Sequence, residues 1–136
     1  MTTALWTSKE VQVATAGKLV GDWSATGVSI DTRTLKQGDL FIAIEGPNFD
    51  GHKFVSNALS KGAAAALISH VPDDVDPKAN LLIVDNTLKA LEKLAAASRA
   101  RTSARIIAVT GSVGKTSAKE ALKHVLSVQG ETYATE

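Results

Sequence analysis

A chain of 136 residues, 44% hydrophobic and 21% charged, suits one globular domain, or one domain and part of another, and is too apolar to stay disordered. Its 15 basic and 14 acidic residues nearly cancel and form no run of one sign, so the basic stripe that nucleic-acid binding requires is missing. The lack of cysteine excludes disulfides, thiolate catalysis and thiolate metal sites, and no apolar stretch approaches the ~20 residues that span a bilayer.

The first ten residues, MTTALWTSKE, lack a charged segment followed by an apolar run. No signal peptide is read there, and a cytoplasmic location without membrane insertion is expected. Thr7 and Glu10 are spaced as a capping box, which predicts a short helix ending near Gly17. Residues 27–31 (GVSID) alternate as a strand, and residues 40–44 (LFIAI) read as a buried one after the turn at Gly38. Residues 45–51 (EGPNFDG) are turn formers and predict a loop. A helix over 53–61 follows, with Gly62 placed to end it in the left-handed conformation. Residues 64–69 and 81–85 read as strands separated by a surface loop with two prolines. Thr87 is the expected N-cap of a helix to about Arg101, on which Leu88, Leu91, Leu94 and Ala95 recur at helical spacing. Residues 105–110 read as a strand, 115–128 as a helix stopped by Gly130, and 131–136 as the start of another strand. Strands that are apolar on both faces and alternate with helices predict an α/β fold with a largely parallel sheet.

The chemistry of the chain concentrates where the strand at 105–110 meets the next helix. Thr110, Gly111, Ser112, Val113, Gly114, Lys115 and Thr116 form a phosphate-binding loop. Its N–H groups and the helix N-terminus offer partial positive charge to phosphate oxygens, and Gly111 and Gly114 let the backbone come close. Lys115 is the expected catalytic cation on the β- and γ-phosphates, and the Thr116 hydroxyl the expected Mg²⁺ ligand, which makes ATP and Mg²⁺ the expected cofactors. The general pattern opens with a glycine that is Val109 here. Only about one βαβ unit's worth of chain, ~30 residues, follows that strand. The expectation is therefore a truncated ATP-binding domain in an N-terminal piece of a longer enzyme.

Two polar segments lie upstream: residues 29–33 (SIDTR) and 48–52 (NFDGH). Composition alone reads them as a strand end and a solvated loop, with His52 as a helix-cap residue. Taken with Gly38-Asp39-Leu40-Phe41, Gly46, Phe54, Ala58 and Gly62-Ala63, they resemble the N-terminal signature of the Mur ligase family, which builds the peptide of bacterial peptidoglycan. That N-terminal domain is shared by the third and fourth ligases, and the family's usual serine after Asp31 is Thr32 here. The loop Thr110-Gly111-Ser112 with Lys119-Glu120 is similar to that of the fourth ligase, which adds D-alanyl-D-alanine.

The resemblance implies a small uridine-binding α/β domain over residues 1–85, a linker helix over 86–104, and the start of the central ATP-binding domain over 105–136. It implies that Ile30, Thr32, Arg33, Pro47, Asn48 and Phe49 hold the uridine end of a UDP-N-acetylmuramoyl-tripeptide, with Arg33 either pairing a phosphate or bracing its own loop. It also implies that D-alanyl-D-alanine is joined through an acyl phosphate. The remainder of the central domain and the C-terminal domain would be needed for turnover, so the 136 residues alone are expected to be inactive. Two other readings stand: the third ligase, which adds diaminopimelate or lysine, and a non-catalytic nucleotide-binding module.

Overall fold

The computed structural model describes residues 3–135 and divides into two compact units, Met1–Thr102 and Ser103–Glu136. The first unit is built on a five-stranded sheet. Its strands are β2 (Lys18–Val20), β4 (Gly27–Ser29), β5 (Asp39–Ile42), β8 (Ala65–Ile68) and β9 (Leu81–Ile83), in the order β2-β9-β8-β5-β4. The pairs β4–β5, β5–β8 and β8–β9 are parallel, and only the edge strand β2 runs antiparallel.

Side chains alternate between the faces of a strand, so a strand buried on both sides must be apolar at every position. Leu40, Ile42, Ala65, Leu67, Leu82 and Val84 face one way. They pack under Val11 of α1 (Ser8–Thr15) and Ala90 and Leu94 of α3 (Thr87–Arg101). Phe41, Ala43, Ala66, Ile68 and Leu81 face the other way, against Val55 and Ala58 of α2 (Val55–Ser60) and Val75 of the loop after β8. This two-sided burial explains the near-continuous apolar runs at 40–44 and 64–69.

The helices carry the expected signals with local differences. At α1, Thr7 Oγ1 accepts from Glu10 N at 3.3 Å and Glu10 Oε2 accepts from Thr7 N at 2.8 Å, which completes the capping box. The N-cap of α3 is Asn86 rather than Thr87: Asn86 Oδ1 accepts from Lys89 N at 2.8 Å, while Thr87 is a buried first-turn residue. At its far end, Arg101 lies 3.8 Å over the Trp6 ring and donates to Leu5 O at 2.6 Å, tying α3 to the start of the unit.

Some elements were not legible beforehand. The short pairs β1 (Trp6–Thr7) with β3 (Ser24–Ala25), and β6 (Glu45–Gly46) with β7 (Phe49–Asp50), are two residues a strand, and β2 has three. None is long enough to establish a period of two. The helix expected over 53–61 is a 3-10 turn, Gly51–Phe54, followed by α2.

The second unit contains α4 (Lys115–Ser127). Residues 105–110 and 131–135, both expected as strands, form none, and Glu136 lies outside the described residues. A strand exists only through its ladder partner, and among the described residues of this unit there is none.

Because the N-cap of α3 is Asn86, Asn86→Ala should lower the stability of the chain by about 1 kcal/mol, and Asn86→Ser should restore most of it. Urea unfolding followed by far-ultraviolet circular dichroism measures both; an unchanged midpoint for Asn86→Ala would mean the cap contributes nothing.

Candidate functional site

In a parallel sheet the loops that leave the carboxyl ends of the strands gather at one edge, and ligands bind there. Two of the polar segments leave that edge. Residues 30–33 follow β4, and the β6–β7 hairpin follows β5. Pro47 and Asn48 form the hairpin's two-residue turn, and Glu45, Gly46, Pro47, Asn48, Phe49, Asp50 and Lys53 line an open concavity of about 650 Å³. Phe49 is 52% exposed and stacks on Phe54 with ring centroids 5.5 Å apart, which leaves an aromatic face turned to solvent. Of the six residues expected at a uridine site, Pro47, Asn48 and Phe49 share this concavity. Ile30, Thr32 and Arg33 lie on the neighbouring loop and do not line it.

That neighbouring loop is held by its own charges. Arg33 Nε donates to both Asp31 carboxylate oxygens at 3.0 Å, Arg33 NH2 donates to Oδ2 at 2.5 Å, and Arg33 N donates to Oδ1 at 2.8 Å. Ser29 Oγ donates to Asp31 O at 2.9 Å, and Lys61 Nζ reaches Thr32 O at 2.9 Å. Here Arg33 braces its own loop. The Arg33 side chain, and then its backbone N–H, hold the Asp31 carboxyl down from 3.8 to about 2.

The base of the hairpin is fixed by close contact and by an imidazole. A Cβ on Gly51 would sit 2.8 Å from Ile44 N and 2.9 Å from Ile44 O, so only glycine lets the chain lie flush against the end of β5. His52 is 2% exposed. Its Nε2 accepts from Ser69 N at 2.9 Å, which fixes the proton on Nδ1, and Nδ1 donates to Asp50 Oδ1 at 2.8 Å. Asp50 also accepts from His52 N at 2.9 Å; this backbone bond, and then the imidazole, lower its carboxyl pKa. Glu45, His52 and His70 bring ligand-capable atoms within 4.8 Å of one another. The His52 and His70 rings are stacked 4.1 Å apart, however, and both ring nitrogens of His52 are engaged, so their lone pairs do not converge on a cation. Nothing in the sequence spacing connects His52 with Ser69, which is why this arrangement was missed.

The loop expected to bind phosphate, residues 110–116, lies in the second unit. Gly114 is left-handed (φ 80) and caps α4, and Gly111 has φ 148, conformations that a Cβ disfavours. Lys115 Nζ donates to Gly111 O, so the ammonium is folded over the loop that carries it. Thr110, Ser112, Val113 and Thr116 are exposed, with the Thr116 hydroxyl on the first turn of α4. Lys119 Nζ pairs with Glu120 Oε1 at 3.3 Å.

A family profile described as Mur ligase family, catalytic domain, matches residues 24–99, more than half of the sequence. The chain belongs to the Mur ligase family. It is 39% identical over 122 residues to the UDP-N-acetylmuramoyl-tripeptide–D-alanyl-D-alanine ligase of Rickettsia prowazekii (strain Madrid E), covering 90% of this chain and 27% of the relative. It is 40% identical over 115 residues to the UDP-N-acetylmuramoyl-L-alanyl-D-glutamate–2,6-diaminopimelate ligase of Syntrophomonas wolfei subsp. wolfei (strain DSM 2245B / Goettingen), covering 83% of this chain and 23% of the relative. The chain thus spans about a quarter of the length of the curated relatives it matches. Among solved structures it is similar to MurF from Acinetobacter baumannii, with TM-score 0.76 and 34% identity over 90% of this chain and 28% of that one. It is also similar to the MurF ligase of Thermotoga maritima in complex with ADP, with TM-score 0.59 and 32% identity over 75% of this chain and 23% of that one.

Because the folded state holds the Asp31 carboxyl below its ordinary value, the ion pair stabilises the fold above about pH 4 and loses that contribution as pH falls from about 4 to about 2. Replacing Asp31 by Asn should flatten the stability curve across that window and leave its shape at higher pH unchanged. Thermal melts at half-unit pH steps check this; a variant with the same acid limb as the parent would show that Asp31 does not titrate in it.

Proposed function

We propose that this chain supplies the uridine-side domain and the phosphate-binding loop of an ATP-dependent ligase that joins D-alanyl-D-alanine to a UDP-N-acetylmuramoyl-tripeptide. In this reading residues 1–85 form the uridine domain, 86–104 join it to the next domain, and 105–136 open the ATP-binding domain. The carrying observation is the aromatic-walled concavity at the carboxyl edge of the parallel sheet, in a chain of the Mur ligase family that also bears Gly111–Lys115–Thr116 at a helix start.

The chemistry follows from the weakness of a carboxylate as an electrophile. A carboxylate oxygen of the tripeptide attacks the γ-phosphorus of ATP, the bond to the bridging oxygen breaks, and ADP leaves. The amine of D-alanyl-D-alanine then attacks the acyl carbon, loses a proton, and expels phosphate to leave the amide. Lys115 neutralises charge on the transferring phosphoryl, and the N–H groups of residues 111–116 hold the phosphate oxygens. Thr116 offers one hard oxygen donor, which suits Mg²⁺, an ion that keeps several waters and supplies charge neutralisation when bound. On the uridine side, Phe49 offers a face for the base, and Asn48 with the turn amides can read its polar edge.

Ser112 and the Lys119–Glu120 pair support the D-alanyl-D-alanine reading over the diamino-acid one, as does the Rickettsia relative. No described helix is long and apolar enough to cross a membrane. The nucleotide-linked substrate and ATP of this reading support a cytoplasmic enzyme.

Calorimetric titration of the 136-residue chain with UDP-N-acetylmuramoyl-tripeptide, and separately with Mg-ATP, tests the reading. The uridine ligand should bind, and Phe49→Ala should weaken it about tenfold or more, the worth of one stacked base. The chain assayed alone should form no pentapeptide. Tight Mg-ATP binding with no uridine-ligand binding would instead mark an autonomous nucleotide module.

A further inference from the structure

His52 is buried, bonded at both ring nitrogens, and placed between two elements that no backbone ladder joins. On one side it holds Asp50, the last residue of the hairpin that carries Pro47, Asn48 and Phe49. On the other it accepts from the N–H of Ser69, the residue after β8. Ser69 Oγ approaches the same nitrogen at 3.1 Å, and His70 covers the ring face at 4.1 Å. A two-residue ribbon has little rigidity of its own, since two strands are marginal even when long. The hairpin therefore depends on what ties its base to the sheet, and besides the close backbone contact at Gly51 that tie is the imidazole.

We infer that His52 is a positioning residue. As a neutral Nδ1–H imidazole it bolts the β6–β7 hairpin to the end of β8 and so fixes the concavity that receives the nucleoside. The inference rests on the reading of that concavity as the uridine site for its functional consequence, but not for its structural one. The tautomer is dictated by geometry. An N–H of Ser69 aimed at Nε2 requires a lone pair there, which leaves the proton on Nδ1 facing the Asp50 carboxylate. A protonated ring would set donor against donor at Ser69. The groups facing the ring are Asp50 and Glu45 from the hairpin, at 2.8 Å and 3.9 Å from Nδ1, and His70 and the Ser69 hydroxyl from the segment after β8.

Two substitutions separate the two bonds. The amide of His52→Asn sits near Nδ1 and keeps the donor to Asp50 but does not reach Ser69. The longer His52→Gln places a carbonyl where Nε2 accepts from Ser69. The 136-residue chain and both variants are to be labelled with ¹⁵N and compared by long-range imidazole correlation in the parent, by backbone relaxation of residues 45–50, and by titration with UDP. The parent should show Nδ1 protonated and Nε2 bare. His52→Asn should loosen residues 45–50 while the sheet amides hold their shifts, and should weaken UDP about fivefold to tenfold, the worth of one buried hydrogen bond. His52→Gln should recover most of both. An Nε2–H tautomer, or a hairpin equally ordered in His52→Asn, overturns the inference. If the parent itself ignores UDP, the uridine reading falls, and hairpin order in the unliganded variants still decides for or against the bolt.

Discussion

Every feature of the first unit follows from the demand that a parallel strand be covered on both faces. The inner strands β5, β8 and β9, of three or four residues each, have too few ladder bonds to stand as an exposed sheet, so they persist only as a middle layer. That demand puts α1 and α3 over Leu40, Ile42, Leu67 and Leu82, and α2 with Val75 over Phe41, Ala66, Ile68 and Leu81. It also requires each connection to begin at the carboxyl edge and return to the amino edge. The segments with polar chemistry, residues 30–33 and 45–50, are the first stretches of two such connections, which is why they share an edge though they are separate in sequence.

Short strands give short loops little to rest on, and the molecule answers with local anchors. Asp31 and Arg33 close one loop on itself, at an exposed position where the pair adds order more than stability. Gly51 and His52 fasten the other to the sheet by close packing and by two hydrogen bonds of a buried ring. The Phe49–Phe54 stack adds a third point, joining the hairpin tip to the 3-10 turn that follows it. The last two of these anchors hold the hairpin that lines the concavity, and a preformed wall of this kind would lower the ordering cost of binding.

How much of this was legible depends on the length scale of the signal. The apolar runs at 40–44, 64–69 and 81–85 announced a parallel sheet because two-sided burial writes itself into every position. The capping box at Thr7 and Glu10 is a four-residue pattern and could be read with the eye. Two-residue ribbons write nothing, since one alternation is not a period. The N-cap of α3 was displaced by one because Asn86 and Thr87 are both good caps, and which of them turns its oxygen inward depends on the burial of Thr87 against the core. The strand expected before the Thr110 to Thr116 loop was not realised, because a strand needs a partner that the sequence of one segment cannot supply. The bond from His52 to Ser69 spans seventeen positions and leaves no local pattern.

The charges around the concavity constrain which end of a nucleotide it can take. Glu45 and Asp50 bring two carboxylates to its lining and Lys53 brings one ammonium, while Arg33 on the adjoining loop spends its guanidinium on Asp31. A diphosphate placed there would meet more negative charge than positive. A neutral base, with an apolar face for Phe49 and a polar edge for Asn48 and the turn amides, meets no such penalty. The proposed phosphate site is instead the start of α4, where Lys115, the loop N–H groups and the helix terminus lie together. On the proposed reading the concavity takes the neutral base of the uridine ligand, and the loop before α4 takes the phosphates of a separate nucleotide, ATP. In that division the precision of the first unit lies in fixing the hairpin, and the precision of the second in the backbone of the glycines that open its helix.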